Sequence, residues 1–153
     1  MSSRAPTLLV IEDTEDEALL VSAAARKAHP GLSVHVVTDG LEGISYLAGI
    51  APFEDRGRYP LPQLVILDLF MPEVDGFEVL TWRRERSELV DVPTIVLTAS
   101  IDPRDEERAL ALGATSVLRK PTDLVQLAHI VSKTVHQYIG SGEMIGAHIW
   151  AAG

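Results

Sequence analysis

The sequence predicts an α/β fold, a parallel sheet with helices on both of its faces. Strand-like and helix-like segments alternate along the 153 residues. The central strand-like runs, Leu64-Val65-Ile66-Leu67 and Thr94-Ile95-Val96-Leu97, are continuously apolar, as strands are when both faces are covered. A third observation says where function should sit. Four of the runs lead into polar, chemically capable residues: Glu12-Asp13, Asp68, Thr98 and Lys120. In such sheets the carboxyl ends of neighbouring strands share one crevice, and ligands bind there.

The elements follow in order. A strand is expected near 7–11 and a helix over 15–28, where Thr14 and Glu17 have the spacing of a capping box. A strand near 32–37 and a helix over 41–49 come next, with Asp39 and Glu42 as the corresponding pair. An irregular connection over 50–62, rich in Pro and Gly and containing Tyr59 and Pro60, precedes the strand near 63–67. Asp75 and Glu78 open a helix over 76–87. After a strand near 93–97, Asp102-Pro103 supplies an N-cap followed by proline at the first position of a helix over 104–112. Gly113 stands where that helix would stop in the left-handed conformation. The last strand is expected near 115–118 and the last helix over 123–138. Leu124, Leu127, Ile130, Val131, Val135 and Tyr138 recur there at helical spacing as a core face. Residues 1–139 read as one domain. Residues 140–153 read as a Gly-rich extension whose Met144, Ile145, Ile149 and Trp150 are expected to pack on this chain or on a partner, as a dimer arm.

Composition narrows the function classes. A chain of this length buries roughly 70% of its unfolded surface, so it needs no covalent staples. There is no cysteine, which excludes disulfides, thiolate metal sites and cysteine nucleophiles. Thirteen basic and 22 acidic residues give a net charge of −9, which disfavours nucleic-acid binding. No apolar run approaches a membrane span and residues 1–7 lack a signal core, so a cytoplasmic location is expected.

Three acids, a hydroxyl and an ammonium at one crevice are suited to holding a divalent cation beside a carboxylate that receives a phosphoryl group. Mg²⁺ takes oxygen ligands, and Asp13 and Asp68 can ligate it directly, with Glu12 direct or through water. The cation relieves repulsion among the acids and neutralises phosphoryl oxygens. Asp68 is the natural nucleophile, Lys120 can pair with one phosphoryl oxygen, and Thr98 can donate to another. Each residue alone has an ordinary reading. An acidic pair after a strand favours a helix N-terminus, an aspartate favours a turn, and a lysine is usually solvated. The ordered set at four strand ends is what departs from chance.

That set resembles the receiver domain of bacterial two-component response regulators. The matching pieces are Val10-Ile11-Glu12-Asp13, Leu67-Asp68-Leu69-Phe70-Met71-Pro72, Asp75-Gly76, Leu97-Thr98-Ala99, Gly113-Ala114 and Lys120-Pro121. The resemblance implies a doubly wound five-stranded sheet of flavodoxin-like order 2-1-3-4-5. It implies phosphorylation of Asp68 by a sensor histidine kinase, autophosphatase activity only, and Mg²⁺ held by Glu12, Asp13, Asp68 and the backbone carbonyl of Phe70. It also implies a cis Lys120–Pro121 bond and a homodimer through the fourth helix, fifth strand and fifth helix. The connection bearing Tyr59 and Pro60 resembles stand-alone receivers paired with phytochrome kinases, so a bacteriophytochrome is the expected partner. The remaining chain is expected to be too short for a DNA-binding module, leaving output to a partner.

Three positions depart from the family pattern. Val117 replaces the aromatic residue that usually switches with Thr98. Phe70 stands where polar residues are common, and its ring is expected to shield an acyl phosphate from water. Ser100 is too short to position an attacking water. Elsewhere, His29, His35, His129, His136 and His148 show no metal-ligand spacing, and Trp82 reads as packing. Arg83, Arg84 and Arg86 read as a solvated face. A haloacid-dehalogenase-type phosphohydrolase would want an aspartate where Phe70 stands. A degenerate receiver is opposed by the complete polar set. A flavodoxin would want a Ser/Thr-rich phosphate loop after the first strand.

Overall fold

The computed structural model describes residues 5–142. Five strands, β1 (Thr7–Ile11), β2 (Ser33–Val37), β3 (Leu64–Asp68), β4 (Thr94–Thr98) and β5 (Ser116–Arg119), alternate with five helices. These are α1 (Glu15–Ala28), α2 (Gly40–Ala48), α3 (Gly76–Arg84), α4 (Pro103–Ala111) and α5 (Leu124–Tyr138). All strand pairs are parallel and the order is β2-β1-β3-β4-β5, so the sheet is doubly wound in the flavodoxin-like manner.

The period of two along each strand divides the core. Leu9, Ile11, Val65, Leu67 and Val96 face α2, α3 and α4, where they meet Tyr46, Phe77, Leu80 and Ala109. Leu8, Val10, Ile66, Ile95 and Leu97 face the other way, onto Val21 and Ala25 of α1 and Leu127, Val131 and Val135 of α5. This two-sided burial is why the central runs lack polar alternation.

The sequence places every element within a few residues, and the differences have local causes. Asp75 and Glu78 form the full capping box, and Asp39 and Asp102 cap α2 and α4. Thr14 makes no side-chain cap, and the reciprocal half of the box is open too, because Thr14 N–H donates to Glu12 and Glu17 turns to Lys120. α3 stops at Arg84 rather than 87, since tight turns after it bring Leu89 into the core. Arg83 is no surface residue: it is buried, and its guanidinium donates to the carbonyls of Gly113, Val90 and Val92. Leu124 leaves the expected core face and is 62% exposed at the first position of α5. The Lys120–Pro121 bond is trans; among the described residues the cis bond is Ala51–Pro52. The expected arm residues Met144, Ile145, Ile149 and Trp150, with His148, lie outside the described residues.

The 49–63 connection is a packed unit. Arg56 donates to the carbonyls of Tyr46 and Leu47 at the end of α2 and to that of Tyr59. It satisfies carbonyls that a helix terminus leaves unpaired. Tyr46, Phe53, Tyr59 and His35 interlock edge to face or tilted, with centroids 5.1–5.9 Å apart.

Candidate functional site

Register brings the polar residues together. Ile11 pairs with Leu67, Asp68 with Leu97, and Thr98 with Arg119. Glu12, Asp68, Thr98 and Lys120 therefore stand side by side at the carboxyl edge of four neighbouring strands. Lys120 N–H donates to the Thr98 carbonyl at 2.7 Å, which fixes the last step of that row. The β3–α3 loop closes tightly beside it. Gly76 N–H donates to Leu69 O at 2.8 Å, and a Cβ at Gly76 would lie 2.5 Å from the Asp68 carbonyl oxygen. Only glycine fits that approach.

Carboxylate oxygens of Glu12, Asp13 and Asp68 all fall within 4.8 Å of one another; Glu12 and Asp68 are buried and Asp13 is exposed. Lys120 Nζ lies 3.0 Å from Glu12 Oε1, 3.7 Å from Asp68 Oδ1 and 2.7 Å from Glu17 Oε1. Glu12 uses its other oxygen to accept from Thr14 N–H at 3.1 Å.

The electrostatics follow. Burial, and then the Glu12 charge, push the Asp68 carboxyl up to about 7, an effect that Lys120 only partly offsets and Asp13 enlarges. Burial works against the Lys120 charge, but Glu17, Asp68 and Glu12 outweigh it, so the ammonium is held more firmly than usual. Three oxygen donors converge with too little positive charge around them. That is the demand a hard divalent cation such as Mg²⁺ meets, so the residues present fit such an ion.

The other predicted residues take different places. Thr98 is buried, and its hydroxyl accepts from Ser100 N–H at 3.0 Å. Ser100 is turned away to α4, where its hydroxyl meets Asp105 and accepts from Asp102 N–H. Val117 packs on the core and, with Thr98, Ile101, Asp105 and Arg119, lines a cavity of about 190 Å³. Phe70 is 51% exposed, edge-on to Phe77 at 6.0 Å. Trp82 packs against the core under Arg86, as expected. His136 has a structural role, its Nε2 lying 2.9 Å from the Ala28 carbonyl. Glu17 is the residue of this cluster that sequence reasoning missed, because its capping-box spacing already explained it.

The family model of the response regulator receiver domain matches residues 8–132. The chain belongs to that family. Its relatives among receivers span much of its length. The probable methanogenesis regulatory protein FilR2 of Methanothrix harundinacea is 30% identical over 133 residues, 87% of this chain and 83% of its own. Response regulator Rcp1 of Synechocystis sp. is 28% identical over 124 residues, 81% of this chain and 82% of its own. The Mn²⁺-bound crystal structure of Rcp1 superposes with a TM-score of 0.78 at 27% identity, covering 86% of this chain and 92% of that one. The phosphorylated cyanobacterial phytochrome response regulator RcpA superposes with a TM-score of 0.83 at 26% identity, covering 89% and 95%. This receiver is therefore related to phytochrome response regulators. Among the described residues no helix is long and apolar enough to cross a membrane.

Proposed function

We propose that this receiver is a single-domain response regulator that takes a phosphoryl group on Asp68 from a phosphohistidine of a sensor kinase, and that the kinase is a bacteriophytochrome. The observation that supports it most is the convergence of Glu12, Asp13, Asp68 and Lys120 at one sheet edge. An Asp68 oxygen attacks phosphorus in line, the N–P bond to imidazole breaks, and the electron pair stays on the ring nitrogen, which takes up a proton. The product is an acyl phosphate on Asp68. Lys120 and the Thr98 hydroxyl pair with its oxygens. Glu12, Asp13, Asp68 and the Phe70 carbonyl would hold Mg²⁺, which when bound neutralises charge on the phosphoryl oxygens. Water attacking phosphorus later returns free phosphate and the Asp68 carboxylate, an autophosphatase step rather than an enzymatic turnover of substrate.

The phytochrome pairing is supported by relatedness to RcpA and by the ordered connection around Arg56 and Tyr59. We place the protein in the cytoplasm, as a homodimer through the α4–β5–α5 face with residues 140–153 as an arm. It signals through a protein partner and not through nucleic acid or membrane. Phosphotransfer profiling tests the pairing. A phosphorylated bacteriophytochrome kinase should label this chain faster than unrelated kinases do, and only with Asp68 intact. Faster labelling by a kinase of another class would overturn it.

A further inference from the structure

Glu17 holds a position that the receiver reading does not explain. It is the third residue of α1, and Thr14 is its N-cap, with extended backbone and its carbonyl accepting from Ala18 N–H. Thr14-x-x-Glu17 is therefore written as a capping box: the Thr14 hydroxyl should accept from Glu17 N–H while the Glu17 carboxylate accepts from Thr14 N–H. Neither bond is made. Thr14 makes no side-chain cap, and its N–H is held by Glu12 Oε2 at 3.1 Å. Glu17 Oε1 is pulled to 2.7 Å from Lys120 Nζ, a close ion pair in which that buried oxygen receives no hydrogen bond of good angle. Asp75 and Glu78, with the same spacing on α3, do close their box. The spacing is sound, and the charges at the site take both partners of the box's carboxylate half.

Both residues that hold the box open belong to the phosphoryl site. Lys120 binds Glu12 and Glu17 at once, and Glu12 binds Lys120 and Thr14 at once. A cation claims Glu12, and a phosphoryl group claims Lys120. A cation drawn to Glu12 Oε2 and a phosphoryl group paired with Lys120 would leave Thr14 N–H and the Glu17 carboxylate without partners together, and each is the other's capping partner. Resting on the phosphoacceptor reading, we infer that Glu17 is a latch: it holds Lys120 in the resting protein and, when the site fills, swings to the N-cap of α1 and closes the whole box, the Thr14 hydroxyl then accepting from Glu17 N–H. The event at Asp68 then reaches α1, and through Val21 and Ala25 the α5 residues Leu127 and Val131 packed on it. This route does not use Val117. Glu17 is a positioning residue for Lys120, not a catalytic one.

Amide exchange of Glu17 and beryllofluoride affinity, measured with Mg²⁺ on the full chain, test it. In the wild type, beryllofluoride should slow exchange at the Glu17 amide. Glu17→Gln keeps the capping partner and loses the ion pair while Glu12 still holds Thr14 N–H, so without ligand its residue-17 amide should be slower than the wild type's, though not as slow as with beryllofluoride, and its beryllofluoride affinity several-fold higher. Thr14→Ala should abolish the slowing and weaken binding. Glu15→Gln, an exposed change of equal charge on the same turn, should do neither. Unchanged Glu17 exchange in a wild type that binds beryllofluoride overturns the latch alone, as does an affinity gain in Glu15→Gln equal to that in Glu17→Gln. A wild type that binds no beryllofluoride overturns the phosphoacceptor reading, and the latch with it.

Discussion

Lys120 and Arg83 are both largely buried cations, 11% exposed at the side chain and 4% exposed respectively, and their surroundings differ in kind. Arg83 is met by backbone carbonyls alone, those of Gly113, Val90 and Val92. Lys120 is met by carboxylates alone, those of Glu12, Glu17 and Asp68. Carbonyls are neutral and fixed by the chain, so Arg83 ties the end of α3 to β4 and α4 in one arrangement. Carboxylates are charged and reach Lys120 on rotatable side chains, so under the proposed function Lys120 exchanges them for a phosphoryl oxygen. The same buried charge is a staple in one place and a movable part in the other.

The comparison breaks first at stability. Arg83→Met leaves buried carbonyls unpaired and should cost about 3 kcal/mol or more in urea unfolding, with or without Mg²⁺. Lys120→Met should cost about 1–2 kcal/mol in chelator at neutral pH, because acids are left uncompensated, and saturating Mg²⁺ should recover most of it. A Lys120 loss that Mg²⁺ leaves unchanged would mean that Lys120 is a staple too.

The acid side of the site gives a pH signature. Asp68 keeps its proton up to about 7 in the fold, against an ordinary value of 3.8. Between those values the folded chain holds a proton that the unfolded chain has released, so stability falls as pH rises through that window. In chelator this group should lower the melting temperature from about pH 4 to about pH 7, and Mg²⁺ should flatten the decline. A chelated protein that gains stability over that range would contradict the crowding of Glu12 on Asp68. The smallest expected effect is at Phe70. Its ring is half exposed and rests on Phe77, so Phe70→Asn should barely move stability while speeding loss of the phosphoryl group several-fold. An unchanged dephosphorylation rate would remove the shielding role.

The sheet was legible because β1, β3 and β4 carry uninterrupted apolar runs, and the row Glu12, Asp13, Asp68, Lys120 because parallel strands must align their carboxyl ends. What stayed hidden depended on which of two partners a side chain takes. Glu17 has a capping geometry within three residues and a lysine 103 positions away in sequence, and the distant charge wins. Arg83 sits among Arg84, Glu85 and Arg86, a surface-like string, yet the turns after α3 fold it under the chain. Arg56 lies in an irregular stretch whose order comes from the α2 carbonyls it reaches, and no periodicity announces that.

The claim that Asp68 is a phosphoryl acceptor is tested most directly by intact mass after incubation with Mg²⁺ and a small phosphodonor such as acetyl phosphate. The wild type should gain the mass of a single phosphoryl group, lost again on standing, and Asp68→Asn should gain none. A wild type without that gain, or an Asp68→Asn chain that keeps it, would contradict the account.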